Sequence, residues 1–270
     1  MTVNQGFQTQ NVHGWKVGFR NFMKKESSEW WRTRRWWVNV LVWVFIIDGF
    51  LAFMLFGLPK MAVNQGTPVP AEEYLQTSVS SLFGIALIGI TLGIVILTHD
   101  EMIGEKQRGT AAWVLSKPMT RSAFFLSKFF ANGVAILFIM IFLPMLFAFV
   151  LFSISSIDLN WVNFIAAVFI LIVHSFFYLS LCLFLGVSGE NRGKVLAGGL
   201  ACLFGGQLLA DLFQPLAIFT PFGFSRILTS VALQGFSPLP VEVFAPVGIT
   251  FLLGLILVAM SLYKIEKLEF

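Results

Sequence analysis

Apolar residues come in six long blocks along this chain: Trp36–Leu58, Ser78–Thr98, Phe124–Phe152, Trp161–Val187, Val195–Pro215 and Pro246–Tyr263. Each is near the ~20 residues with which a helix crosses the ~30 Å of bilayer hydrocarbon. The pattern predicts an all-α membrane protein of six transmembrane helices. Pro144 inside the third block predicts a local kink, which a helix packed among neighbours tolerates. Before the first block, Trp15, Phe19, Phe22, Met23 and Trp30 share one helical face and Lys16, Arg20 and Lys24 the other. That periodicity predicts an amphipathic helix at the membrane surface. Glu26 projects into the middle of its apolar face, as a solvated helix end or as one half of a buried contact. Trp30, Trp31, Trp36 and Trp37 bracket Arg32, Arg34 and Arg35, the composition of an anchor at headgroup level. Residues 216–245, before the last block, are too apolar for a surface loop and predict a short helix or re-entrant hairpin in the outer leaflet. The expected division is a cytoplasmic N-terminus over 1–35 and one transmembrane domain over 36–270.

Composition agrees: of 270 residues, 57% are hydrophobic and 12% charged, and the mean hydropathy is +0.83. A soluble domain needs more polar surface than this. The net charge of +4 raises nucleic acid as a partner. The basic residues, however, lie between apolar blocks and form no large patch, so no nucleic-acid binding is expected. Cys182 and Cys202 both fall within apolar blocks as packing residues. No short apolar region followed by a small-residue cleavage site precedes the first span, so no cleavable signal is expected. Sixteen of the 18 Lys and Arg residues fall in the N-terminal segment, the second and fourth connections and the C-terminal tail, leaving Lys60 and Arg226 for the other side. The positive-inside rule then places both termini in the cytoplasm of a multi-pass protein of the cell membrane.

Catalytic chemistry has few candidates. His13, His99 and His174 are far apart, with no HExxH metal pair and no GxSxG elbow, so no metal site is expected. His99, Asp100 and Glu101 together suit a solvated, salt-bridged helix end. The run Gly189–Lys194 departs from a phosphate loop at Ser188, where Gly is needed, and at Val195, where Ser or Thr is needed. It reads as a tight turn. Polar residues inside spans are candidates because burying them in lipid is costly. These are Asp48, His174, Asp211 and Gln214, as pathway groups or as hydrogen bonds between helices. Gly89 and Gly93, and the small residues of the fifth span, favour close helix packing.

The second connection carries the most specific pattern. Thr110 is suited to cap a short helix whose apolar patch is Trp113, Val114 and Leu115 and which Pro118 stops, with Thr120 capping the third span. Such a helix, clamped between two long rods, suits docking on a soluble partner. Glu105, Gly109, Thr110, Ser116, Lys117, Pro118, Arg121, Ser122 and Lys128 resemble the loop motif of the ABC transporter type-2 permease family. Lys25-Glu26 followed by Arg32 is similar to that family's approach to the first span, and Pro221-Phe222 to its outer segment. Trp113-Val114 stands where the family often has Glu and Leu.

The resemblance implies a non-catalytic permease subunit of an ATP-driven transporter, an exporter, paired with a second permease copy or a homologous permease. A separate ABC ATPase would carry ATP and magnesium, with no cofactor in this chain. It implies ATPase coupling through Glu26, Glu105, Gly109, Thr110, Trp113, Leu115, Pro118 and Arg121. Alternatives are a proton-coupled transporter relaying through Asp48 and His174, a lipid-acting membrane enzyme, and a membrane anchor for an ATPase-driven assembly system.

Overall fold

The computed structural model describes residues 18–66, 70–107, 120–155, 157, 159–213, 219–236 and 240–267. Gly109, Thr110, Trp113, Leu115, Pro118 and Gln214, with Trp15 and Lys16 of the first amphipathic face, lie outside the described residues. Every regular element among the described residues is helical. In chain order they are α1 (Phe19–Trp31), α2 (Arg35–Asn64), α3 (Glu72–Gln107), α4 (Arg121–Ile154), α5 (Trp161–Ser188), α6 (Arg192–Leu212), α7 (Phe224–Gln234) and α8 (Pro240–Lys267). Six of them, α2 to α6 and α8, are long and apolar enough to cross a membrane.

The six spans fall where the apolar blocks are, but most are longer. At 1.5 Å per residue, the 36 residues of α3 and the 34 of α4 reach about 50 Å, well beyond the ~30 Å of hydrocarbon. The extra turns are polar. Glu72 and Glu73 begin α3, where carboxylates complement the positive end of a helix. Thr120 caps α4 by accepting the Ala123 N–H at 3.3 Å, as its position predicts. Asn160 and Asn191 do the same for α5 and α6.

Three prolines, Pro59, Pro144 and Pro246, lie inside spans without breaking them, and two of them follow a wider turn. Pro59 follows a π-helical stretch, Phe53–Gly57, and Pro144 follows another, Leu137–Phe142. A proline has no N–H for the ordinary ladder and its ring crowds the preceding turn, so the wider turn just before it relieves both. This is the local distortion expected at Pro144.

The core lies where α5 packs against α3, α7 and α8, with α2 against α3 and α4. Gly89 and Gly93 of α3 make the seat for Trp43 of α2. A Cβ at Gly93 would stand 2.3 Å from the Trp43 ring and 2.2 Å from the Met140 methyl, so no side chain fits there. The GxxxG pair thus admits one indole and brings two helices together. The segment before the last span forms a single turn, Pro221–Gly223, and then α7, whose Phe224, Leu228, Val231 and Ala232 are buried. Phe224 lies beside His174 (5.7 Å between rings), and Gly235 beside Asn163 of the same helix. α7 therefore runs antiparallel to α5 over half its length, and its first turn sits well inside the bundle, as the re-entrant reading predicts.

Gly93→Leu is expected to lower thermal stability in detergent by about 1–3 kcal/mol, the usual cost of overpacking. Gly248→Ala, where a Cβ meets nothing within 4 Å, should leave the melting temperature unchanged.

Candidate functional site: an ionic cluster at the basic end

α1 lies alongside the first turns of α4, and the two helices meet in register every four residues. Phe22 packs on Phe124 (5.6 Å between rings), Glu26 pairs with Lys128, and Trp30 donates its indole N–H to Asn132 Oδ1 at 3.0 Å. The apolar face of α1 is thus covered by protein. Glu26 sits in it because an ammonium waits opposite, so the buried-contact reading of Glu26 holds. Trp30, expected among the headgroup anchors, is 2% exposed, while Trp31, Trp36 and Trp37 stay exposed.

Lys128 is the hub. Its side chain is 2% exposed, and its Nζ reaches Glu26 at 3.0 Å, Glu105 at 3.1 Å and Glu101 at 3.4 Å. An ammonium has three N–H donors, and here three carboxylates from two other helices surround it. Lys25 and Arg35 offset the remaining negative charge. Lys25 bonds Glu105 at 2.9 Å and Glu26 at 3.3 Å. Arg35 bonds Glu101 at 3.4 Å and the Leu97 carbonyl at 3.2 Å, with its guanidinium 4.1 Å from the centre of the Trp30 ring. Three cations and three carboxylates join the N-terminal helix, the start of α2, the end of α3 and the start of α4. Burial pushes the Glu26 carboxyl above the usual carboxylate range, while Lys128 and Lys25 pull it down. Burial works against the Lys25 ammonium too, but its bond to Glu105 and the charges of Glu26 and Glu105 outweigh that and raise it.

Further bonds tie this cluster to the remaining spans. Lys106 donates to the Gly186 and Val187 carbonyls (3.1 and 2.6 Å) at the end of α5, where a cation is favoured. Asp100 pairs with Arg192 at 2.6 Å, at the start of α6. Arg121 Nη1 donates to the Glu266 carbonyl at 2.7 Å, and Ser122 Oγ to the Glu266 carboxylate at 2.8 Å, near the end of α8. Glu105 and Lys106 precede residues 108–119, and Arg121 and Ser122 follow them. Both ends of that segment are therefore fastened to other helices.

Of the coupling candidates, Glu26 and Glu105 come together on Lys128, and Arg121 stands apart at the start of α4, bonded to α8. Lys128, Glu101, Lys25, Arg35 and Asn132 complete the site, and sequence reasoning did not single them out as site residues. One signal was available: Lys128 is a lysine among Phe124, Phe125 and Phe129, and a buried cation needs a buried anion such as Glu26. The His99–Glu101 group is salt-bridged as expected, but the Glu101 side chain is only 10% exposed.

The polar span residues are scattered. Asp48 is buried in α2 with neither carboxylate oxygen hydrogen-bonded. His174 of α5 pairs through Nε2 with Thr91 of α3 at 2.8 Å, which joins two helices as the packing reading requires. Asp211 accepts from Gln207 at 3.3 Å on the exposed face of α6. His174 lines a cavity of which Asp48 is not a lining residue. Among the described residues there is no cluster of His, Cys, Asp and Glu that holds a metal.

Six helices long and apolar enough to cross a membrane, with an amphipathic N-terminal helix, define a multi-pass membrane protein. A sequence profile described as the ABC-2 family transporter protein matches residues 20–264, and the chain belongs to that family. No curated protein is similar enough to this chain to count as a match.

Replacing Lys128 with Met leaves three carboxylates with only Lys25 and Arg35 against them, whereas Glu26→Gln or Glu105→Gln removes one charge each. Lys128→Met should cost about 3–5 kcal/mol, and each glutamine variant clearly less. Thermal unfolding in one detergent ranks them. Equal losses would mean the ammonium is not the hub.

Proposed function

We propose that this chain is the permease subunit of an ATP-driven exporter in the cell membrane, with both termini in the cytoplasm. It does no catalysis; ATP and magnesium belong to a separate ABC ATPase docked at the basic end. The observation that carries this reading is the Lys128 cluster. It makes α1 and the ends of α3 and α4 one body on either side of residues 108–119. A partner that moves that segment, with Gly109, Thr110, Trp113, Leu115 and Pro118, then moves three helices together. Coupling requires that the two nucleotide states of the ATPase contact this body differently.

Pairing of two copies is part of the reading. On α6, Phe204, Leu208 and Leu212 are exposed beside the Gln207–Asp211 pair. A carboxylate is expensive to leave facing lipid, so a second permease, identical or homologous, covers this face.

Mild-detergent purification of the tagged chain from its host should bring down a stoichiometric ABC ATPase, identified by mass spectrometry. Glu105→Ala should keep that ATPase bound yet lose the permease's effect on its hydrolysis rate. No nucleotide-binding partner, or unchanged stimulation in the variant, overturns the coupling reading. In a Cys202→Ser background, Leu208→Cys should give a disulfide-linked pair of permeases on mild oxidation. Monomer alone would contradict pairing through α6.

A further inference from the structure

A cavity of about 300 Å³ lies inside the bundle between α3, α5, α6 and the first turn of α7. Its apolar wall includes Leu87, Ile88, Leu203 and Phe222, and its polar groups come from His174, Tyr178, Gln207 and Ser225. Two of these are fully committed to the interior. His174 is 4% exposed and Tyr178 is 0% exposed. The Nδ1 of His174 has no hydrogen-bond partner, and the hydroxyl of Tyr178 has only the thiol of Cys202, a weak partner, beside it. A buried polar atom without a good partner is costly, and two such atoms from residues lining one cavity mark a place where a ligand's polar group offsets that cost.

The entrance is lateral. Ile88, Phe204 and Gln207 are lining residues exposed on the faces of α3 and α6. The inner end meets the first turn of α7, an eleven-residue helix whose N-terminus has neither a side-chain cap nor an acidic residue. No charged side chain lines the cavity. Asp211 is held by Gln207 on α6, and Arg226 is exposed in the first turn of α7.

We propose that this cavity binds an apolar molecule with an uncharged hydroxyl head, such as a long-chain alcohol, with the hydroxyl between His174 Nδ1 and the Tyr178 oxygen. An ionised head would be buried with no counter-charge against it, which is costly. A hydroxyl both donates and accepts. It therefore meets His174 in either tautomer, whichever way the Thr91 hydrogen bond runs. The apolar wall takes the hydrocarbon body, and the side entrance admits the molecule from the bilayer. As a substrate site this rests on the exporter reading; as a binding site it does not. It is therefore measured on the purified permease without any ATPase, and a failure here leaves that reading standing.

The probe is a photoactivatable sixteen-carbon alcohol, compared with the fatty acid and the primary amine of the same chain. The alcohol should label saturably, and labelled peptides should contain residues 84–88 or 203–207. Tyr178→Phe removes only the hydroxyl, whose one protein partner is the Cys202 thiol, and should weaken binding roughly three- to tenfold, the worth of one hydrogen bond. Gly84→Leu fills the cavity where a Cβ meets nothing within 4 Å, so it should fold normally and abolish saturable labelling. Saturable labelling untouched by both variants overturns the site. So does a lack of saturable labelling in the unaltered chain. Tighter binding of the acid or the amine overturns the uncharged head.

Discussion

A charged lysine side chain cannot stay 2% exposed unless opposite charge is brought to it. Lys128 therefore dictates much of the arrangement at the basic end. It needs Glu26, which holds α1 against α4, and it needs Glu101 and Glu105, which hold the end of α3 there too. Lys25 and Arg35 follow, because three carboxylates around one ammonium leave an excess of negative charge. The Phe22–Phe124 ring contact and the buried Trp30–Asn132 hydrogen bond exclude water above and below the pair, and the low local dielectric strengthens it. A joint of this kind resists partial opening, because loosening one helix leaves buried charges without partners.

The opposite arrangement holds deeper in the bundle. There α7 enters as a half-length helix, and in residues lining a cavity His174 Nδ1 is left unpaired and the Tyr178 hydroxyl has only a thiol as partner. The π-helical turns of α2, α4 and α6 lie in the spans that frame this region and in their neighbours. One end of the molecule is thus cross-linked by charge, and the interior keeps room and unspent hydrogen-bonding capacity. This is the division of labour expected of a protein that receives force at one end and accommodates a ligand inside.

Much of this was legible in the chain. Block length alone located the six spans, because lipid demands ~20 apolar residues from each. It misjudged their ends, since the polar turns at Glu72–Glu73 and Ile103–Gln107 carry no apolar signal yet continue α3. Glu26 was visible as a break in an amphipathic face, and its partner was not. Lys128 lies 102 residues away, and only the packing of α1 on α4 shows that their positions coincide. His174 was visible as a polar residue within a span. Its cavity was not, because the walls come from four helices and periodicity reports one helix at a time.

The most direct test of the account follows motion across the Lys128 joint. Spin labels at Ile154 and Val241, exposed at the end of the bundle opposite the cluster, would be placed in the permease bound to its ATPase. Their separation is then measured by double electron–electron resonance with and without nucleotide. The account predicts a nucleotide-dependent shift in the unaltered chain that is lost in Glu26→Gln while the ATPase remains bound. The same shift in both proteins would contradict it, because the movement would then reach the far end without passing through the cluster.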